Sequence, residues 1–253
     1  MSILKKLAKY AAIAAIWLAA WWGISLLVGN DIIFPSPAGV LGKLGELIIL
    51  PEFWLSILYS LIRILFGLVM ATLAAILLSA LAFRFKLVKD FLKPALAVVK
   101  STPVVSFIFI AFVAFSQNFN ALPAFIAGLI VFPVIYESIL SALQATPKEL
   151  IEVSDVFGCT FYERLRYLWI PSALPAFITS SKTSIGLAWK AGVAAEALVA
   201  IPTMLSIGTE ISQAKTWLET TEQFAWTLVI IILSLSIEII FSFVAKEITD
   251  KIL

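Results

Sequence analysis

The sequence predicts an all-α integral membrane protein with six transmembrane helices. Three observations carry that prediction. Of 253 residues, 62% are hydrophobic and 13% charged, with a mean hydropathy of +1.05; a soluble domain is about half apolar and a quarter charged. Six stretches reach the roughly 20 mostly apolar residues that a helix needs to cross about 30 Å of hydrocarbon. Lys and Arg gather on alternate connections between those stretches. The same composition excludes other classes. A lone cysteine, Cys159, excludes a disulfide scaffold. The lack of histidine excludes His-based zinc sites, and a formal net charge of +2 is no footprint for nucleic acid.

The first stretch, about 10–28, follows Lys5, Lys6 and Lys9. A basic lead also marks signal peptides, but this run is long, contains Trp17, Trp21 and Trp22, and lacks a small-x-small cleavage pattern. Residues 31–53 follow, with a short helical pattern from about 37 to 50. The second stretch, about 54–82, carries Arg63 and stops at the basic cluster Arg84, Lys86, Lys89 and Lys93. The third and fourth, about 94–116 and 121–144, contain Pro103, Pro123 and Pro133, together with Lys100 and Glu137. The fifth, about 172–200, holds Lys182, Lys190 and Glu196, and the sixth, about 223–245, holds Glu238. Between them, 202–223 is a polar connection with a second short helical pattern. The runs are continuous rather than alternating, which favours helices over a β-barrel. Pro in a span frees backbone carbonyls, while Gly128, Gly186 and Gly192 permit close helix approach.

An N-terminus in the cytoplasm puts nearly all loop cations inside, including Lys148, Arg164, Arg166, Lys246 and Lys251. Only Lys43 and Lys215 then lie outside, as the positive-inside rule requires. Both termini are expected to be cytoplasmic.

Ionisable groups within spans are costly and face protein or water. Arg63 and Glu196 fall at similar depth and form a reasonable structural pair. Glu137 lies near the depth of Lys182 or Lys100. Lys190 sits beside Trp189, six residues from Glu196, so Lys190 and Glu196 point to different sides of one helix. Three readings of Lys190 stay open: attraction of an anion in a water-lined path, a structural pair with a carboxylate, or snorkelling to an interface.

The connection at 146–171 is the most informative segment. Thr146-Pro147-Lys148-Glu149 reads as a capping box with Pro at the first helical position. Leu150, Val153, Val156 and Phe157 then mark one helical face, and Gly158 sits where that helix ends. Thr160 to Glu163 forms a second capping box, opening a helix that runs towards Pro171. Periodicity alone serves two readings, an apolar face docked in a groove of another protein or one lying on lipid.

Here the chain resembles a known family. Glu152-Val-Ser-Asp-Val-Phe-Gly158, followed by Ile170-Pro171 and Leu174-Pro175, looks like the EAA loop of bacterial ABC importer permeases. Glu152, Gly158 and Pro171 keep the family spacing, while Val153 and Ser154 replace its two alanines. Pro35-Ser36-Pro37, Ser60-Leu-Ile-Arg63 with Gly67, and Gly186 to Lys190 with Glu196 are similar to segments of the nitrate/sulfonate/taurine/bicarbonate-type subgroup.

The resemblance implies a type I ABC importer transmembrane domain spanning 1–253, with the coupling loop at 146–171. Glu149, Glu152, Asp155, Gly158 and Pro171 would couple it to the ATPase, and Trp189, Lys190, Glu196 and Arg63 would belong to the substrate pathway. Implied partners are two copies of an ABC ATPase, an extracytoplasmic substrate-binding protein, membrane lipid and a second permease copy, most simply as a homodimer. Implied substrates are nitrate, bicarbonate, a sulfonate including taurine, or a thiamine-precursor pyrimidine. The chain itself has no Gly-x-x-x-x-Gly-Lys-Ser/Thr loop and, without His, no Ser/His/Asp or Cys/His set. It is therefore expected to be no enzyme and to bind no metal or cofactor, with ATP and Mg held by the partner ATPase. An ion-coupled secondary transporter is the alternative; it predicts an inverted repeat, and none is evident.

Overall fold

The computed structural model describes the backbone of residues 3–252 and the side chains of residues 9–247. The side chains of Lys5, Lys6 and Lys251, part of the orientation argument, lie outside the described residues. The chain runs as α1 (Ile3–Val28), α2 (Pro37–Ile48), α3 (Pro51–Arg84), α4 (Lys86–Ser101), α5 (Val104–Ala114), α6 (Ala121–Gln144), α7 (Lys148–Val156), α8 (Phe161–Arg164), a π-turn (Leu165–Trp169), α9 (Ile170–Val199), α10 (Ile207–Thr216) and α11 (Thr220–Ile252).

The count of six crossings is not reproduced exactly. By length and composition, four of the described helices can cross a membrane: the Lys9–Val28 part of α1, α3, α6, and the Thr220–Glu247 part of α11. A fifth crossing results only if α4 and α5 count as one span, and they meet at 108°. The predicted third span therefore straddles a sharp bend. Its cause is Pro103: the residue before a proline is driven out of the α region, and Thr102 adopts ψ 134°. The fifth predicted span does form one 30-residue helix, α9. Its charges and the hydroxyl run from Thr179 to Ser184 leave it too polar to qualify on composition. Much of α9 instead packs against α3, α6, α10 and α11, with a face through Thr179, Thr183 and Lys190 left exposed.

Between helices in lipid, association rests on close van der Waals packing and polar bonds rather than on burial from water. The trio α3, α6 and α9 follows that rule. A Cβ added to Gly67 of α3 would lie 2.1 Å from the Ala124 carbonyl oxygen of α6. One added to Gly192 of α9 would lie 2.5 Å from Ile64 Cγ1 of α3. Gly67 lets the α3 and α6 backbones meet, Gly192 makes room for Ile64, and Ala71, Ala75, Ala127, Val131, Ala188 and Trp189 fill the seam. Around the trio, α2 is started by Ser36, whose Oγ accepts the Gly39 N–H at 3.2 Å, with Pro37 at the first turn. Phe53 and Trp226 stack at 5.0 Å between α3 and α11. α1 is peripheral, held by Trp21, which donates Nε1–H to the Pro35 carbonyl at 3.0 Å and lies 6.2 Å from the Phe224 ring.

Candidate functional site

Two places combine the residues that the sequence singles out. The first is the segment between α6 and α9. Its leading helix begins one residue later than expected: Pro147 is extended (ψ 134°) and occupies the cap position, with no side-chain cap. Thr146 is instead buried, its Oγ1 without a partner. With Pro147 as the cap the third helical residue is Leu150, which offers no acceptor, and proline has neither an N–H nor a side-chain oxygen to give, so no capping box can form there. The end of α7 matches expectation. Gly158 takes φ +64°, its N–H reaches Asp155 O at 3.0 Å, and Cys159 N–H reaches Ser154 O at 3.0 Å. That is a Schellman turn, and the left-handed position favours glycine. The second capping box forms as expected, Thr160 Oγ1 accepting from Glu163 N–H while Glu163 accepts from Thr160 N–H at 2.7 Å. That bond holds the Glu163 carboxyl below its ordinary range. Arg164 then pairs with Asp155 and donates Nε–H to Cys159 O at 3.2 Å, fastening α7 to α8.

The chain passes from α8 into α9 without interruption. Pro171 cannot donate to the carbonyl four residues back, and its ring crowds that carbonyl. The helix widens to a π-turn at Leu165–Trp169 just ahead of it. A rigid connection results: Gly158 turns the chain once, and everything beyond it belongs to the α9 rod. Along α7, Leu150, Val153, Val156 and Phe157 are all exposed, at 48%, 51%, 85% and 79%. Glu149 and Glu152 are exposed too.

The second place is the far end of α9. Glu196 is fully buried, and its Oε1 lies 3.6 Å from Arg63 Nη1. Its Oε2 accepts from Ser60 Oγ at 2.7 Å and from Gly208 N–H at 3.3 Å. Ser60 Oγ also accepts the Ile207 N–H at 2.9 Å. The carboxylate thus caps the N-terminus of α10, where unpaired N–H groups and the helix dipole favour negative charge. The approach is close enough that a Cβ on Gly208 would fall 2.3 Å from Glu196 Cβ. Arg63 is further held by the Leu205 carbonyl at 2.9 Å, Asn120 Oδ1 at 2.7 Å and the Tyr59 ring at 5.5 Å. One turn along α10, Glu210 accepts from Ser56 Oγ at 3.1 Å. Burial raises the Glu210 pKa above its ordinary value, with Glu222 and Glu52 adding to the rise.

A raised carboxyl stabilises the fold below its unfolded pKa and loses that contribution as pH rises through the folded value. Glu210→Gln should therefore flatten the gain in melting temperature on acidification from neutral pH into the carboxylate range, read on detergent-solubilised protein. An unchanged pH profile would reject this.

Residues 71–252 match the profile of the family described as binding-protein-dependent transport system inner membrane component. The chain belongs to that family. The permease is 27% identical over 208 residues to the nitrate import permease NrtB of Synechococcus elongatus, covering 78% of this chain and 74% of the relative. It is 25% identical to the putative aliphatic sulfonates permease SsuC of Bacillus subtilis, covering 86% and 78%. It is 23% identical to the taurine permease TauC of Escherichia coli, covering 89% and 82%. Among solved structures its fold matches an amino acid ABC transporter crystallised with histidines at TM-score 0.59 and 15% identity, covering 79% of this chain and 94% of that one. It also matches the inward-facing methionine transporter MetNI at TM-score 0.53 and 17% identity, with the same coverage. The permease is thus a multi-pass membrane subunit of an ABC importer, and its family implies ATPase and binding-protein partners.

Arg63 and Glu196, paired on depth alone in the sequence, meet in the permease. Lys100, one of two cations at the depth of Glu137, forms that bridge at 2.8 Å. Trp189 is 1% exposed in the core, whereas Lys190, the next residue along α9, is exposed. Sequence reasoning missed Asn120 and Gly208, and named Ser60 without its bond to Glu196. Only the Ser206-x-x-Thr209 cap pattern gave a readable signal there, and Ser206 Oγ does accept the Thr209 N–H at 3.1 Å.

Proposed function

We propose that α7 is the coupling helix of this permease, that two copies of the chain pair as a homodimer on two ATPase subunits, and that the pair receives a small anion from one extracytoplasmic binding protein. The observation that carries the reading is the apolar ridge along α7 and its C-cap: Leu150, Val153, Val156 and Phe157 are all exposed. Such a ridge on a short helix suits a hydrophobic groove. Glu149, Glu152 and Asp155 flank it, the Gly158 turn sets its angle, and the Asp155–Arg164 pair and the π-turn before Pro171 make it a lever on α9. ATP and Mg belong to the partner ATPase. The whole chain, 1–253, acts as one permease domain in the bacterial inner membrane with both termini cytoplasmic, as the cation asymmetry supports.

Glu152→Lys and Gly158→Pro test the lever. Proline cannot adopt φ +64°. Each variant should insert normally, yet bind the ATPase about thirtyfold more weakly, the effect of losing one interface contact of about 2 kcal/mol. ATP-driven uptake should fall with it. Normal co-purification and uptake in both variants would remove the assignment.

The anion preference rests on α9. Thr179, Thr183, Lys190 and Ala194 share its one free face. A polar face at membrane depth must meet water or protein rather than lipid. In a pair of copies it lines the path, with Lys190 as the attracting charge. Trp189 and Glu196 support that wall from behind. The relatives named for nitrate, sulfonates and taurine agree with small anions such as nitrate, a sulfonate or bicarbonate. Lys190→Ala should raise the KM for the transported anion about tenfold, an effect of about 1.4 kcal/mol. An unchanged KM would reject this role.

A further inference from the structure

Two cavities adjoin Arg63. One, of about 710 Å³, is an apolar groove between α3 and α6, floored by Gly67, Ala71 and Gly128 and walled by Phe66, Phe125 and Phe132. The other, of about 530 Å³, is polar, lined among others by Tyr59, Gln117, Asn118 and Thr203. Arg63, Asn118 and Asn120 border both. The polar cavity is walled by two non-helical segments, the link from α5 to α6 and the link from α9 to α10, where Ala200 takes φ +38°. Arg63 lies about 7 Å outward of the middle of α3, at a rise of 1.5 Å per residue. Irregular backbone and polar side chains at that depth are tolerated where they line water or are covered by protein.

The charges at this cavity are ordered. Glu196 is fully buried behind Arg63, with Oε2 bound by Ser60 and Gly208, whereas the Arg63 side chain keeps 14% exposure. The pair is neutral in sum, yet its positive end borders the cavity. Two of the guanidinium N–H groups are spent on neutral oxygens, the Leu205 carbonyl and Asn120 Oδ1, out of five available. The Asn118 and Gln117 carboxamides and the Thr203 hydroxyl are given no hydrogen bond among the described side chains. A cation fixed from behind and ringed by free neutral donors suits one small anion of single charge, whose oxygens accept several N–H and O–H bonds while its charge is shared with a single guanidinium.

We propose that the cavity at Arg63, Asn118 and Asn120 is a specificity site for a monovalent oxyanion, separate from the Lys190 face, in which the anion takes the Arg63 Nη2 donor from Asn120. Taking that donor releases the α5–α6 link from α3, because Asn120 Oδ1 is its hydrogen-bond tie to Arg63. The site deepens the importer reading and rests on it.

The test uses the complete importer, permease with its ATPase and binding protein, in proteoliposomes, with nitrate and ethanesulfonate as probes. Asn118→Ala removes a free donor without disturbing the Arg63 anchors. It should raise the KM for the transported probe about tenfold with kcat nearly unchanged, one charge-assisted bond's worth. Arg63→Lys keeps the charge but loses the fork, and should raise KM further and narrow the discrimination between planar nitrate and the tetrahedral sulfonate. If wild-type uptake is measurable and KM is unaltered in Asn118→Ala and Arg63→Lys, the cavity is no anion site, while the importer reading stands. If the wild-type complex drives neither probe, the small-anion reading fails and takes this site with it.

Discussion

Gly67→Leu is expected to abolish accumulation of the folded permease. The hydrogen at Gly67 faces backbone, not a side chain that can swing aside: the nearest atoms to an added Cβ are the Ala124 carbonyl oxygen at 2.1 Å, its carbon at 2.7 Å and its Cα at 2.8 Å. No rotamer change relieves that contact, so α3 and α6 must separate. Their contact is the most extensive in the fold and holds the core seam of Ala71, Ala75, Ala127 and Val131. In lipid such a seam is maintained by the fit itself, since the alternative neighbours are equally apolar. Overpacking by even a few carbons costs about 1–3 kcal/mol in ordinary cores, and more where backbone must move. The measurement is the monodisperse fraction after detergent extraction, with Gly23→Leu as control, because nothing lies within 4 Å of a Cβ there. Normal yield of Gly67→Leu alongside the control would show that α3 and α6 do not cross so closely.

Glu196→Ala should cost nearly as much, for an electrostatic reason. Its removal leaves the Arg63 guanidinium without its counter-charge and deprives Ser60 Oγ–H and Gly208 N–H of their acceptor. Breaking a buried pair by deleting one partner costs about 3–5 kcal/mol, and each orphaned buried donor about 1–3 kcal/mol. These overlap and do not add. Glu196→Gln separates the two parts, because its amide oxygen still accepts from Ser60 and Gly208 while the charge is gone. Thermal unfolding in detergent should place the Gln variant between wild type and Ala. Equal loss in both would assign the whole effect to charge; equal stability of all three would deny the knot any structural role. A swap of Arg63 and Glu196 should not rescue, because an arginine at 196 cannot accept the α10 N–H groups.

Much of this molecule was legible before any coordinates. Continuous apolar runs placed α1, α3, α6 and α11, and Ser36 with Pro37 placed the start of α2. Gly158 and the Thr160–Glu163 box marked the α7 turn and the start of α8. These features are local: a cap, a left-handed turn or a 20-residue apolar run is decided by residues a few positions apart. The start of α7 was misread by one residue because Thr146 before Pro147 has the pattern of a capped start, whereas packing buries Thr146.

Span number and the buried knot were different in kind. Hydropathy saw one crossing at 94–116, but Pro103 bends the helix by 108°, and the angle depends on what α4 and α5 pack against. It read 172–200 as a span like the others, whereas the charges and hydroxyls of α9 keep it from qualifying on composition, and much of the helix packs against α3, α6, α10 and α11. Arg63 and Glu196 could be paired by depth, since both lie within spans of known direction. Ser60, Asn120, Leu205 and Gly208 could not, because they are drawn from three stretches far apart in the chain, around 60, 120 and 205–208. The sequence alone determined the membrane class and the local signals at several helix ends. Only the tertiary structure decided which side chains share a neighbourhood, because close contact across 136 residues of chain follows from how closely neighbouring helices approach at Gly67, Gly192 and Gly208.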